Sequence, residues 1–127
     1  DISQCPDIGP ILTVLAALSE GETRIINGER LRIKESDRIT SIKTELNKLG
    51  ANVAEEGDSL IIQGVEEFAG GVTVNAWNDH RIAMSLAVAS TRCEEEIILE
   101  EAESVRKSYP HFWDDFVKMG GKIEKDC

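Results

Sequence analysis

Residues 79–98, "DHRIAMSLAVASTRCEEEII", fall on residues 7–26, "DIGPILTVLAALSEGETRII", at a constant offset, and "KMGGKI" at 118–123 falls on "KLGANV" at 48–53 at nearly the same one. Two stretches related in this way imply one supersecondary unit used twice. Each copy opens with an aspartate, passes through an apolar segment of helical spacing and enters a short β-branched run. A second helix and a second strand follow, so the unit reads helix, strand, helix, strand, and an α/β protein is expected. The first copy continues into a hairpin, whereas the second reaches Cys127. One complete and one terminal unit are therefore expected, over about 7–65 and 71–127.

The elements follow from residue spacing. Ile8, Ile11, Leu12, Leu15 and Leu18 share one face of a helix over 7–21, with Asp7 as its expected N-cap. "TRIIN" at 23–27 reads as a strand. Over 34–50, Ile39, Ile42, Leu46 and Leu49 form the narrow stripe of an amphipathic helix that stops at Gly50. "NVAEEGDSLIIQG" at 52–64 predicts a hairpin turning at Glu56-Gly57-Asp58, and "GVTVNAW" at 71–77 another strand. The helix of 78–90 is apolar almost all round from Ile82 to Ala89, which predicts burial on every side. A strand at 95–100, a helix at 108–121 with Pro110 in its first turn, and a short strand at 122–125 complete the chain.

At 127 residues and 41% hydrophobic content, the chain is long enough for one ordinary domain with a core. No run approaches the about 18 apolar residues of a membrane span, and "DISQCPDIGP" lacks the basic and apolar regions of a signal peptide. Three widely spaced cysteines make neither a disulfide framework nor a zinc motif, so a cytoplasmic protein without a metal is expected. A net charge of −10 argues against non-specific binding to nucleic acid. Against that background, residues 30–38 carry Arg30, Arg32, Lys34 and Arg38 beside only Glu35 and Asp37. A basic island in an acidic chain suggests a small anionic ligand.

Cations also stand where helix dipoles disfavour them. Lys34 and Arg38 lie at the expected start of the second helix, Arg81 lies two residues past the candidate cap Asp79, and Lys107 precedes the expected start of the last helix. The positive end of a helix repels each such charge by roughly 0.3–1 kcal/mol, while its free N–H groups form an anion site. Each cation has an ordinary explanation when taken singly: Glu35 next to Arg38, Asp37 next to Lys34, Asp79 next to Arg81, and a surface loop for Lys107. His80 reads equally as a hydrogen-bonded structural histidine. Three equivalent helix starts carrying the same sign put a phosphate or carboxylate held between them on an equal footing with these ordinary pairings. Asp7 and Glu35 have plain helix-start roles, and next to a bound anion either carboxylate would be placed to exchange a proton.

The stretches "RLRIKESDRI", "ELNKLGANVAEEGDSLII" and "NDHRIAMSLAVAS" together closely resemble the C-terminal part of the 5-enolpyruvylshikimate-3-phosphate synthase family, the enolpyruvyl transferases of the shikimate pathway. The resemblance runs from "PDIGP" to "KSYPHFWDDFVKMGG". It implies an inverted α/β fold of βαβαββ units with buried helices and outer sheets. The implied reaction moves the enolpyruvyl group of phosphoenolpyruvate to the 5-hydroxyl of shikimate 3-phosphate and releases phosphate, with no metal or organic cofactor. The resemblance makes Asp7 the proton acceptor at the reacting hydroxyl and Glu35 the carboxylate handling the proton at the methylene. Lys34 would contact shikimate 3-phosphate, Arg38, Arg81 and Lys107 would grip phosphoenolpyruvate, and His80 would line the pocket. Arg30 stands where some members have Asn and is left without a role. The implied partner is an N-terminal domain of the same enzyme, without which the chain is expected to fold but not to turn over. A UDP-N-acetylglucosamine enolpyruvyl transferase-like piece and a non-catalytic phosphate-binding domain are the alternatives. All of these readings require the separate helix starts to meet at one pocket.

Overall fold

A computed structural model describes residues 1–124. Its first three α-helices pack against one another with strands outside them, while the last α-helix has no buried residue. After a 3-10 turn at Pro6–Ile8 come α1 (Gly9–Ala17), β1 (Glu22–Ile25), a 3-10 helix at Glu29–Ile33 and α2 (Arg38–Leu49). Then follow β2 (Asn52–Glu56), β3 (Ser59–Gln63), β4 (Phe68–Gly70), β5 (Thr73–Asn75) and α3 (His80–Ser90). The last elements are β6 (Cys93–Glu95), β7 (Ile98–Glu100), a 3-10 helix at Ala102–Lys107 and α4 (Phe112–Lys118). The chain is an α/β protein, as the order of its elements predicts.

The first sheet is antiparallel with β3 in the middle: Glu22 faces Gln63 and Ile25 faces Leu60 on one side, while Asn52 faces Gln63 and Glu56 faces Ser59 on the other. Strand alternation sends Ile25, Val53, Leu60 and Ile62 inward onto the helices. Two parallel pairs follow, β4 with β6 and β5 with β7, each bridged by α3. This divides the expected strand at 95–100 into two, with Glu96 and Ile97 outside both, and shortens that at 71–77 to Thr73–Asn75. The hairpin of 52–63 forms as predicted.

In α2 the predicted stripe is the buried one, with Ile39, Ile42, Leu46 and Leu49 at most 1% exposed. Burying four such side chains stabilises the fold by roughly 1.5–3 kcal/mol each, before the opposing chain entropy. Gly50 ends the helix at φ +114°, a left-handed C-cap that disfavours any residue with a Cβ. Asp37 caps its start by accepting from the N–H groups of Ile39 and Thr40.

Three expectations fail for identifiable reasons. Asp7 is not the cap of α1: it lies inside the 3-10 turn, and Pro10 occupies the second helical position, where it has no N–H to offer a capping side chain. The apolar face expected for α1 is largely the open one. Gly9, Pro10, Thr13, Val14, Ala16 and Ala17 are buried, whereas Ile8, Ile11 and Leu15 are 42%, 40% and 63% exposed. Helix α1 is apolar on most of its circumference, so spacing could not choose a side; the small residues determine it by allowing close approach of α2 and α3. In α3 burial is nearly complete, but Val88 is exposed and Met84 half-buried, a stripe facing Ile11 across an open groove.

The last helix starts later than expected. Tyr109-Pro110-His111 precede it, and Lys107 ends a 3-10 helix instead of opening α4. Residues 122–124 form no strand, and residue 125 of the strand expected there lies outside the described residues.

Candidate functional site

The start of α2 carries a guanidinium into the interior. Arg38, 1% exposed, donates through Nε to Asp79 Oδ2 at 2.9 Å and through Nη2 to Asp79 Oδ1 at 3.1 Å. Asp79 is itself fully buried at the start of α3, and its Oδ1 also accepts the N–H of Arg81. One aspartate thus caps α3 and clamps the start of α2 in a planar bidentate pair. Ser36 adds a third donor to Asp79 at 2.7 Å. Burial would raise the Asp79 carboxyl, but hydrogen bonds from Arg38 and Ser36 outweigh it and hold it below the usual carboxylate range.

The same guanidinium reaches two further acids. Its Nη2 donates to Glu35 Oε2, and its Nη1 lies 3.3 Å from Asp7 Oδ1. Lys34 Nζ approaches the same Asp7 oxygen at 3.6 Å. Asp7, free of any capping duty, therefore sits between two cations, while Glu35 shares the guanidinium from the other side. Asp7 and Glu35 are about half-exposed and Arg38 is not, so the carboxylates form the rim and the arginine the floor. Four of the five N–H groups of Arg38 are engaged by these acids.

His80 closes one wall. Its Nδ1 lies 3.7 Å from Glu35 Oε2, too long for a hydrogen bond, and is buried without a partner among the described residues. Glu35, Asp79 and His80 bring ligand atoms within 4.8 Å of one another, a spacing suited to a cation. The positive group already seated against both carboxylates is the Arg38 guanidinium.

Arg81 lines a cavity of about 180 Å³ with Asp7, Ile11, Met84, Ser85 and Val88. Among the described residues, its side chain makes no hydrogen bond or ion pair. Lys107 comes from further along the chain and donates to the carbonyl of Asn78, one residue before Asp79. The structure thus brings Asp7, Lys34, Glu35, Arg38, His80 and Arg81 into one contiguous group, with Lys107 at its edge joined through the Asn78 backbone. Arg30 stays apart and donates to the carbonyl of Ser3 at 2.9 Å.

Sequence reading missed Ser36, the clamping role of Asp79, and Glu45. The last is 1% exposed although it is an acid, and it falls between Ile42 and Leu46 on the apolar stripe of α2. An acid on such a stripe is the signal that would have found it.

Known proteins share much of this sequence and its fold. The family model of EPSP synthase (3-phosphoshikimate 1-carboxyvinyltransferase) matches residues 1–116. A 3-phosphoshikimate 1-carboxyvinyltransferase of Clostridium perfringens is 67% identical over 124 residues, covering 98% of this chain and 29% of its own length. One from Clostridioides difficile is 59% identical over 125 residues, again covering 98% and 29%. Among solved structures, EPSP synthase from Acinetobacter baumannii superposes with a TM-score of 0.89 at 34% identity, over 97% of this chain and 29% of that one. The enolpyruvyl transferase NikO from Streptomyces tendae shares the fold at a TM-score of 0.70 and 24% identity, over 93% and 26%. The chain therefore spans under a third of the length of these relatives. No helix among the described residues is long and apolar enough to cross a membrane.

Proposed function

The chain belongs to the EPSP synthase family, and from that premise we propose that it supplies part of the C-terminal domain of an enolpyruvyl transferase acting on phosphoenolpyruvate and shikimate 3-phosphate. In this reading the repeat units are 7–65 and 71–127. The open apolar stripe of Ile8, Ile11 and Leu15 is where the rest of that domain packs.

The observation that carries the proposal is the position of Asp7 between Lys34 and Arg38, with Glu35 on the same guanidinium. A carboxylate held by two cations is oriented toward what lies above it. The 5-hydroxyl oxygen of shikimate 3-phosphate attacks C2 of phosphoenolpyruvate, Asp7 takes the hydroxyl proton, and Glu35 delivers a proton to the methylene carbon. From the resulting tetrahedral intermediate Glu35 removes a proton from the new methyl group, the double bond returns as the C–O bond to phosphate breaks, and the proton held by Asp7 passes to the departing phosphate, which leaves as hydrogen phosphate. Atoms and charge balance without a redox partner. Arg81 and Lys107 supply the free positive charge for phosphoenolpyruvate, and Lys34 that for shikimate 3-phosphate. Arg38 has one N–H left for an anion, so its larger task is to hold Asp7 and Glu35 in place. The bare Nδ1 of His80 is positioned to meet bound substrate.

The positioning and much of the charge stabilisation require a second domain, so the chain alone is expected to fold and remain inactive. Calorimetric titration with each substrate, with and without the whole remaining segment of the Clostridium perfringens relative (its N-terminal domain together with the rest of its C-terminal domain) supplied in trans, tests this. Binding restored only in the reassembled protein is the expected result. No response to either ligand after reassembly rules the reading out, and product from the chain alone rules out its dependence on the partner domain.

A further inference from the structure

Glu45 is a buried carboxyl with no part in the chemistry outlined above. It lies on α2 two turns after Arg38, and its partners are unusual for a helix acid. Oε1 accepts the backbone N–H of Asn75 at 2.7 Å and the ammonium of Lys48 at 2.9 Å, while Oε2 accepts the indole N–H of Trp77 at 3.1 Å. The contacts with Asn75 and Trp77 lie at the end of β5 and on the turn that leads from it into α3. Trp77 and Asn78 within that turn have φ +57° and +51°, two successive non-glycine residues in the left-handed region. Such residues cost energy, and surrounding contacts must hold them.

The turn carries both ends of the anion grip. The carbonyl of Asn78 receives Lys107 Nζ, and its N–H donates to Glu101 Oε2 at 2.6 Å. The next residues are Asp79, clamped by Arg38, and then His80 and Arg81. Helix α2 therefore grasps this segment at two points, through Glu45 before the strained pair and through Arg38 after it. Stability alone would place an apolar residue at position 45, on the stripe between Ile42 and Leu46, because a buried carboxyl is costly to desolvate.

We propose that Glu45 is a positioning residue for the phosphoenolpyruvate side of the site: by holding Asn75 and Trp77 it fixes the Trp77–Asn78 turn and thereby the placement of Arg81 and Lys107. Lys34 and Asp7 reach the site from other segments and do not depend on it. The inference rests on the proposed function, and its signature is a split between the two substrates.

The test uses the Clostridium perfringens relative carrying residues 1–124 of this chain in place of its own segment. Glu45→Gln keeps the shape but sets an amide NH2 against either the Trp77 indole or the pair of donors from Asn75 and Lys48. It is expected to raise KM for phosphoenolpyruvate about tenfold while KM for shikimate 3-phosphate moves less than about twofold, a misplacement effect confined to one ligand. Trp77→Phe removes the indole donor, and the double variant E45Q/W77F is expected to match W77F alone because the donor conflict has gone. Arg81→Ala is the reference. If it weakens phosphoenolpyruvate while Glu45→Gln leaves both KM values unchanged, or moves both alike in step with Tm, Glu45 has no positioning role. If Arg81→Ala itself leaves phosphoenolpyruvate unaffected, the site assignment fails, and the inference with it.

Discussion

Arg32 and Arg38 stand six positions apart, and each gathers three carboxylates. Arg32 donates to Asp37 at 2.9 Å, Glu55 at 2.7 Å and Asp58 at 2.6 Å, with its side chain 26% exposed. Arg38 engages Asp79, Glu35 and Asp7 with 1% exposed. The acids around Arg32 belong to the hairpin of β2 and β3 and to the cap of α2, so that cluster fastens neighbouring pieces of one sheet and helix. Those around Arg38 come from the approach to α1, the approach to α2 and the start of α3. Water reaches the guanidinium of the first group and is kept from that of the second and from Asp79, while Asp7 and Glu35 stay half-exposed at the rim. The same residue types therefore sit in different settings: around Arg32 the charges join one hairpin to one helix cap, whereas Arg38 is bound in the interior to Asp79 and leaves Asp7 and Glu35 facing outward at the rim.

The comparison breaks most visibly if Arg38 is removed. Arg38→Ala leaves Asp79 buried with Ser36 and one backbone N–H as its remaining donors, and the expected loss is about 3–5 kcal/mol in urea unfolding. The double variant Arg38→Met/Asp79→Leu is expected to recover most of that stability, because a well-packed apolar pair often equals a buried ion pair. Anion binding by the reassembled protein should not return. Recovery of neither property would mean that the cluster specifies the fold itself.

Acid should then separate the clusters further. The folded Asp79 carboxyl titrates below its ordinary value of 3.8, so its contribution is complete above that value and is lost as pH falls through the depressed folded one. Glu55, lowered chiefly by the hydrogen bond from Arg32, adds a loss of the same sign. Asp79→Asn is expected to flatten the acid limb of a stability-versus-pH curve more than Glu55→Gln. Equal flattening would show that burial makes no difference between them.

Removing Arg32 is the next smaller change. Arg32→Ala should cost about 1–2 kcal/mol, more than a single exposed pair because three acids share one guanidinium. Its cost is expected to shrink between 0.1 and 1 M salt, since screening reaches a group open to water, while that of Arg38→Ala stays constant. Parallel salt dependence in the two variants would remove the distinction.

Much of this was legible in the sequence. The stripe of α2 follows from periodicity, because α2 has a polar side that fixes which face turns inward, and its stop at Gly50 and the hairpin turn follow from local residue chemistry. Of the cations expected at helix starts, Arg38 and Arg81 lie there, whereas Lys34 follows one 3-10 helix and Lys107 ends another. Helix α1 has none, so the side exposed by Ile11 and Leu15 depended on which neighbours pack against it. Lys107 was expected at a helix start and reaches the site instead through a backbone carbonyl, a contact that depends on the turn at Trp77 and Asn78. Glu45 and the bidentate clamp on Asp79 are long-range pairings, and single-residue spacing carries no information about a partner thirty or more positions away.

The smallest expected effect lies on the outer edge of β1, where Arg24 pairs with Glu22 at 3.1 Å and both side chains face water. The Glu22 carboxyl is held below its usual range, first by hydrogen bonds from Arg24 and Gln63. A favourable shift at so open a position transmits little to the fold, because both ions keep most of their hydration when the pair breaks. Arg24→Ala is therefore expected to move Tm by less than about 2 °C and to leave substrate binding by the reassembled protein unchanged. A loss comparable to that of Arg32→Ala would mean that the number of partners, and not exposure to water, sets what an arginine contributes in this chain.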